Sequence, residues 1–406
     1  MIRKLIPQKI KNIWHYLNSL TSVIYFGYPA RKLKVIAVTG TDGKTTTCTL
    51  IYHILKTAGF KVALISSVAA YIGDKEIDTG FHVTTPDPWR LQKTIYLIVN
   101  SNINYLVLEA TSHGIDQHRL LGTNISMGIL TNITHEHLDY HKTFGNYLRA
   151  KAKLFKNLKI AILNHDDDSF ERIKKLIPKK VKILSYSMNS PHDKIRESVK
   201  ARFKEKYNLS NAAGAVKVAK LLGVSDSIII AAIKNFPGVS GRMEEIKNKK
   251  EIKIFVDFAH TPNALKQVLS ASIIKRGGKL ICVFGCAGER DKEKRPMMGE
   301  ISAKLADISI FTAEDPRSEN VNKIISEIAE GARSQGAKER EDFFKISERG
   351  ESISFAIQKL AKKGDTVIVC GKGHEKSMAY KGVEYPWSDY DAVKIALKGG
   401  IKEIKK

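Results

Sequence analysis

Val35-Ile36-Ala37-Val38-Thr39-Gly40-Thr41-Asp42-Gly43-Lys44-Thr45-Thr46 joins a short apolar run to a glycine-bearing turn and then to a helical pattern. The run has the length and branching of a buried strand. From Thr45 to Ala58, Leu50, Ile51, Ile54 and Leu55 share one helical face, and Gly59 is the stop. A turn between a strand and a helix N-terminus is where backbone amides cradle phosphate. Gly40 and Gly43 let the backbone approach it, Lys44 would neutralise β/γ charge, and the Thr45 hydroxyl would reach Mg²⁺. The usual loop has another glycine five residues before its second one; that position is Val38 here, so this is a shortened variant.

Beyond this unit the same rhythm continues. Apolar runs at 62–65, 105–108, 127–130 and 160–163 alternate with amphipathic segments, as in a parallel sheet covered by helices. Pro237-Gly238-Val239-Ser240-Gly241 suits a hinge, and a second series follows at 254–256, 280–284, 308–311 and 366–370. The expected architecture is α/β. A P-loop-type central domain with a mostly parallel sheet covers 34–238, and a smaller C-terminal Rossmann-like α/β domain covers 239–406. The first 33 residues stand apart as an amphipathic helical segment, with Ile6, Ile10, Ile13, Trp14, Leu17, Leu20 and Ile24 at helical spacing beside Arg3, Lys4, Lys9 and Lys11. A helix packed on the next domain is the preferred reading; a basic amphipathic helix lying on a membrane surface or a partner is the alternative.

Composition bounds the partners. The 406 residues carry 67 Lys+Arg against 42 Asp+Glu, a net charge of +25, with 43% hydrophobic and 27% charged residues. That profile excludes a mainly disordered, collagenous or mucin-like chain. Such a field attracts anions, but the lysines are scattered, and no zinc finger, RNP signature or arginine-rich tract supports nucleic-acid binding. No apolar run reaches the roughly 18–20 residues of a membrane span. Four cysteines and no secretory signal point to free thiols in a reducing cytoplasm.

Several segments carry chemistry. Glu109 ends a strand in Leu108-Glu109-Ala110-Thr111-Ser112-His113, where a carboxylate facing a phosphate loop can hold Mg²⁺. Thr131-Asn132-Ile133-Thr134-His135-Glu136-His137-Leu138-Asp139-Tyr140-His141 offers three histidines whose spacing fits no familiar zinc set. In Tyr147-Leu148-Arg149-Ala150-Lys151-Ala152-Lys153-Leu154-Phe155, spacing alone leaves both lysines as ordinary helix-surface residues. Cys282 and Cys286 lack CxxC spacing and read as strand-end packing.

From about Lys34 to about Asp391 the chain resembles the Mur ligases, the ATP-dependent amide-forming enzymes of peptidoglycan synthesis, whose relatives glutamylate folates. It is most similar to the branch that adds the third residue of the stem peptide, the UDP-N-acetylmuramyl-tripeptide synthetases. Their loop reads G-T-N-G-K-T-T/S, with Asp42 here for Asn. The resemblance implies that Gly40, Thr41, Asp42, Gly43, Lys44, Thr45 and Thr46 bind ATP. It also implies that Glu109 and His137 are ligands of two Mg²⁺ ions, and that Lys151, with Lys153 as competitor, is carbamylated to hold the second. Glu136 stands where Asp is usual; His135 and His141 are left with structural or surface roles.

Thr84-Thr85-Pro86, Thr111, Ser112, Gln117 and Arg119 resemble the segments that contact the UDP-muramyl peptide. Asn208-x-x-Asn211 puts Asn211 near adenine. Gly241-Arg242-Met243-Glu244 aims Arg242 at the γ-phosphate, and Asp257-Phe258-Ala259-His260-Thr261-Pro262 puts Asp257 on ribose and His260 beside adenine. Arg290, in Phe284-Gly285-Cys286-Ala287-Gly288-Glu289-Arg290-Asp291-Lys292, is implied as a ligand of the incoming amino acid. Glu314-Asp315-Pro316-Arg317 resembles D-N-P-R, whose arginine grips the distal carboxylate of meso-diaminopimelate. Asp315 replaces Asn, and a second carboxylate there bears on amino-acid choice. Gly371-Lys372-Gly373-His374-Glu375 matches G-K-G-H-E, with Gly371 and Glu375 on the added amino acid.

The implied reaction is acyl-phosphate ligation. ATP phosphorylates the D-Glu carboxylate of UDP-MurNAc-L-Ala-D-Glu, and the amine displaces phosphate as the two domains close. Only about 33 residues precede the ATP domain, short of the roughly 50 a small domain needs, and the stretch from Asp168 to Asn208 is short too. The expectation is therefore a missing uridine-binding domain, with fewer substrate contacts or a protein supplying that site. The enzyme is expected in the cytoplasm, with residues 1–33 able to hold it peripherally at the inner membrane face. A different muramyl or glutamyl acceptor is the alternative substrate. A basic P-loop NTPase on nucleic acid, and a membrane-associated scaffold, are the readings from other classes.

Overall fold

The computed structural model describes residues 8–73, 75–77, 85–273 and 278–404; Arg3, Lys4, Ile6 and Thr84 lie outside the described residues. Two compact units emerge. One holds the chain up to Thr134 with His141–Pro237; the other holds His135–Tyr140 with everything from Gly238 on. The second unit thus begins at 238 rather than 239 and also takes a segment from within the expected central domain. It does so because His135 and Glu136 pair with Asp291 and Lys294 of that unit.

In the first unit, β1 (Lys34–Thr39) is the middle of an eight-stranded sheet. The others are β2 (Val62–Ile65), β3 (Ala70–Ile72), β4 (Lys75–Ile77), β5 (Tyr105–Glu109), β6 (Ile125–Leu130), β7 (Ile160–Asn164) and β8 (Lys182–Tyr186). Their order is β4-β3-β2-β5-β1-β6-β7-β8, parallel throughout except the β2-β3-β4 edge. Residues Val35 to Thr39 are all buried, as a doubly covered parallel strand requires. The chain runs to one side of β1 through β5 and crosses to the other at β6. Such a reversal opens a crevice at the strand ends, where ligands of α/β sheets bind.

Helix α1 (Gln8–Tyr25) packs on this unit with the face opposite to the one its pattern suggests. Ser19, Ser22 and Val23 are buried, and Val23 fits against Gly122 so closely that a Cβ there would lie 2.6 Å from a valine methyl. Helix α2 is Lys44–Thr57. Asn12 donates to Asp116 (3.1 Å), and Trp89 of α3 (Pro88–Asn100) donates to Asn18 (3.0 Å). Small residues allow the close approach, and the apolar stripe is left in solvent.

In the second unit, β9 (Glu244–Glu245), β10 (Lys253–Asp257), β11 (Leu280–Phe284), β12 (Ile308–Phe311), β13 (Phe343–Lys345) and β14 (Thr366–Cys370) form a sheet in the order β13-β12-β11-β14-β10-β9. The β15 (Ser377–Tyr380) and β16 (Val383–Pro386) hairpin lies apart. Alternate residues feed two cores. Ile281, Val283, Val367 and Val369 meet Ile353, Trp387 and Val393, while Leu280, Cys282, Ile368 and Cys370 meet Leu269, Met298 and Ile328. The strands missed from sequence are short or on sheet edges, and in the edge strand β8 Lys182 and Ser185 also interrupt the apolar run.

A buried ion pair ties this unit together. Arg349 and Asp389 are wholly buried, bonded at 2.7 and 2.6 Å, and Arg349 also donates to the carbonyls of Ala313 and Cys370. Trp387 Nε1 donates to the same carboxylate at 2.8 Å. Removing one member strands the other's charge in the interior. Asp389→Ala is therefore expected to cost about 3–5 kcal/mol in urea unfolding of this unit; a loss below about 1 kcal/mol would show that the pair is not buried as described.

Candidate active site

The phosphate loop sits where β1 ends, between the ends of β5 and β6. Gly43 caps the helix Lys44–Thr57 in the left-handed region, φ 78°. The loop is held from behind. Thr131 Oγ1 and Asn132 Nδ2 donate to the Asp42 carbonyl at 2.7 and 3.0 Å, and the amides of Thr41 and Asp42 donate to Asn132. The Thr41 hydroxyl lies 3.0 Å from that of Tyr147. No side chain fits at either glycine. A Cβ at Gly40 would lie 1.8 Å from Thr131 Oγ1, and one at Gly43 would lie 2.2 Å from Asn211 Oδ1. Lys44 Nζ folds back on the Thr41 carbonyl at 2.7 Å. Asn211, expected near adenine, lies against Gly43 and accepts from Thr47 at 3.4 Å.

Register carries Glu109 to the loop, because β5 pairs Val38 with Glu109. The carboxylate is buried. Thr45 Oγ1 reaches its Oε1 at 3.2 Å, and the amide and hydroxyl of Ser67 reach its Oε2 at 3.0 and 3.2 Å. Glu109, Thr45 and Ser67 form an all-oxygen donor set, which suits a hard divalent cation. Ser67 was not foreseen, since a lone serine after a strand carries no signal.

Structure separates the two lysines that spacing could not. Lys151 is 1% exposed and donates from Nζ to the Gly40 carbonyl at 2.6 Å, beneath the loop. Lys153 is half exposed and pairs with Asp116 at 2.6 Å. His141 is buried against the rings of His113 and Tyr147, and burial pushes its pKa down to about 4.

Close by, Thr85, Thr111, Gln117 and Arg119 interlock. The Thr85 and Thr111 hydroxyls lie 3.0 Å apart, while Arg119 donates to the Thr85 carbonyl at 2.8 Å and to Gln117 Oε1 at 2.7 Å. Ser112 is buried with no hydrogen bond to its hydroxyl.

The second unit gathers the remaining motifs. Gly241 lies against Gly373 and His374, so that a Cβ would fall 2.2 Å from the His374 amide nitrogen, and Gly373 lies against Phe258. The Arg242 guanidinium stacks over the Phe258 ring at 4.5 Å, and His260 and His374 flank that ring. Asp257 spends its carboxylate on backbone, accepting from the amides of Met243 and Ala259 at 2.7 Å each, and so fixes both loops. His260 is bonded through Nδ1 to the Phe258 carbonyl. Burial first, and then Lys294, lower its pKa to about 3.

Around Glu314 opposite charges interleave. Lys372, wholly buried, pairs with Asp315 at 2.9 Å and Glu375 at 2.5 Å, and Asp315 also accepts from the Ala379 amide. Burial pushes the Glu314 carboxyl up to about 7, and Gly371 lies beside it. Arg290 feels the field of Arg317, and Arg317 donates to the Gly288 carbonyl at 3.3 Å. His137, Met243, Glu289, Asp315 and Arg317 all have positive φ, which non-glycine residues rarely adopt and which concentrates at functional loops. His135 pairs with Asp291 and Glu293, and His137 lies 3.7 Å from Glu136, so the three histidines of that segment go to different neighbours. Lys294 escaped the sequence reading because a lysine among charged residues reads as solvated, and Lys372 because its motif assigns roles only to Gly371 and Glu375.

The chain is similar to known proteins over most of its length. Residues 38–224 match the Mur ligase middle domain and residues 241–373 the Mur ligase, glutamate ligase domain. The chain is 39% identical over 371 residues to UDP-N-acetylmuramoyl-L-alanyl-D-glutamate--2,6-diaminopimelate ligase 1 of Clostridium acetobutylicum, covering 86% of this chain and 75% of that one. It is 36% identical to the corresponding ligase of Clostridium tetani, covering 96% and 82%. A solved structure of such a ligase superposes with TM-score 0.57 at 30% identity, covering 90% and 78%.

His260 yields a pH prediction. Its folded pKa, about 3, lies below the unfolded 6.5, so the unfolded chain binds the proton first. This contribution to stability is complete above pH 6.5 and is lost as pH falls toward 3. Melting temperature should drop between pH 7.5 and 4.5, and His260→Gln should flatten part of that drop. An unchanged slope in the variant would mean that His260 titrates normally.

Proposed function

The chain belongs to the Mur ligase family, and we propose that it joins an amine of 2,6-diaminopimelate to the terminal D-glutamyl carboxylate of UDP-N-acetylmuramoyl-L-alanyl-D-glutamate at the expense of ATP. The observation that carries this reading is the phosphate loop with buried Glu109 at its base. Loop amides and the helix N-terminus would take the triphosphate. Lys44, released from the Thr41 carbonyl, would neutralise its β/γ oxygens, and Arg242 would meet the charge that develops on the transferred phosphoryl group. Phosphoryl transfer to the carboxylate leaves ADP. The amine then attacks the acyl carbon, the C–N bond forms, the C–O bond to phosphate breaks, and the amine loses a proton.

Thr45 and Glu109 would hold a first divalent cation and Lys151 a second, to which His137 is assigned by resemblance alone. Bound there, the metal supplies Lewis-acid stabilisation of phosphoryl charge. Lys151 can serve only as an anion. An amine at Nζ adds CO₂ to give a carbamate and a proton, and the carbamate oxygens would then be the metal donors. Thr85, Thr111, Ser112, Gln117 and Arg119 would receive the muramyl peptide, with Thr84 assigned by resemblance alone. Asn211, near adenine, would also brace the loop at Gly43, and Asp257, on ribose, would also fix the Arg242 and His260 loops.

The amino acid would lie among Arg290, Arg317, Gly371 and Glu375. Arg317 offers a guanidinium for the distal carboxylate. Asp315 turns its carboxylate to Lys372, which it shares with Glu375, and to the Ala379 amide. Four buried, unbridged cysteines and an ATP requirement suit the cytoplasm.

Lys44→Ala and Glu109→Ala should each lower amino-acid-dependent ADP formation by at least about 100-fold; activity within a few-fold of the unaltered enzyme would sink this reading. Arg317→Ala should raise KM for diaminopimelate by about tenfold or more with a smaller effect on kcat, and an unchanged KM would remove Arg317 from the pocket. With ¹³C-bicarbonate, a carbamate signal should be present in the enzyme and missing in Lys151→Ala; an identical signal in both would place the carbamate elsewhere.

A further inference from the structure

On α1, Ile10, Ile13, Trp14, Leu17 and Ile24 form one stripe at helical spacing, and all are exposed, Ile13 by 62% and Trp14 by 69%. At about 100° per residue this stripe is centred half a turn away from Ser19 and Ser22, which face the protein. Tyr25 continues it onto α3, where Trp89, Tyr96 and Leu97 are also exposed. Large contiguous apolar faces of this kind mark interaction sites.

Charge selects the occupant. The sequence has no aspartate or glutamate before Asp42, yet it holds Arg3, Lys4, Lys9, Lys11, Arg31, Lys32 and Lys34 in that stretch. The α3 segment Pro88–Asn100 likewise has Arg90 and Lys93 and no acid. A second copy would bring like charge against like. A partner must be apolar within and negative at its rim. Aromatic and aliphatic side chains on one helix face, in a stretch of sequence that carries cations and no acid, match the boundary between acyl chains and anionic headgroups. No helix among the described residues is long and apolar enough to cross a membrane, so α1, roughly 27 Å long, would lie in the interface plane. We propose that the outer face of α1, extended by Trp89 and Tyr96, seats this protein on the surface of an anionic lipid bilayer.

The test is co-flotation of the full chain with vesicles of phosphatidylcholine alone, or with one third phosphatidylglycerol. Ile13→Ser, Trp14→Ser and Leu17→Ser are combined in a variant whose net charge is unchanged. The protein should float with the anionic vesicles and at least about tenfold less with the neutral ones, and the triple variant should lose at least about tenfold in binding. Circular dichroism and melting temperature establish that the variant is folded. As a second readout, tryptophan emission should shift to the blue on anionic vesicles, and the shift should shrink in Trp14→Phe.

Failure to float would overturn the proposal. Equal flotation of the triple variant would overturn it too, because the general basic surface would then suffice. So would a dimer in light scattering that the triple substitution turns into a monomer, since the face would then be a contact between copies.

Discussion

Seven residues of backbone must turn their amides toward a ligand while their carbonyls and glycine faces are filled from behind, and the first unit is arranged around that constraint. The backing comes from three places far apart in sequence. Thr131 and Asn132 bind the Asp42 carbonyl, Lys151 binds the Gly40 carbonyl, and Asn211 fills the space against Gly43. Each is delivered by an element whose position the sheet fixes. Thr131 follows β6, Lys151 lies in the helix Phe144–Ala152, and Asn211 lies in the helix Lys206–Leu221. The parallel order around β1 therefore matters to function chiefly as a way of bringing these ends to one loop.

The second unit solves a different problem, holding charges close together without water. Lys372 between Asp315 and Glu375, Lys294 near Glu136, and Arg349 with Asp389 each place a cation in the interior beside a carboxylate. Glu314 is the member whose burial outweighs its neighbours, and its carboxyl is held near neutrality. Fixed charges of both signs placed this way need no reorganisation when a charged group arrives.

Much of this was legible in the residues. Runs such as Val62–Ile65, Leu280–Phe284, Ile308–Phe311 and Thr366–Cys370 are apolar enough to give strand limits directly. The phosphate loop announces itself by two glycines, a lysine and hydroxyls between a strand and a helix. Three things were not legible, for separate reasons. Edge strands such as β4 and β13 are short and have no period to detect. Lys294 looks solvated because burial of a lysine depends on carboxylates distant in sequence. The direction of α1 was hidden because amphipathic spacing reports that a helix has two faces, and only the small residues Ser19, Ser22 and Gly122 say which one meets the protein.

The central claim is amide ligation specific to an amino acid with a distal carboxylate. The most direct measurement is mass detection of product from UDP-N-acetylmuramoyl-L-alanyl-D-glutamate, ATP and Mg²⁺ with either diaminopimelate or lysine. The account predicts the diaminopimelate adduct with stoichiometric ADP and phosphate, and little or no lysine adduct. Absence of both adducts, with ATP intact, would contradict it.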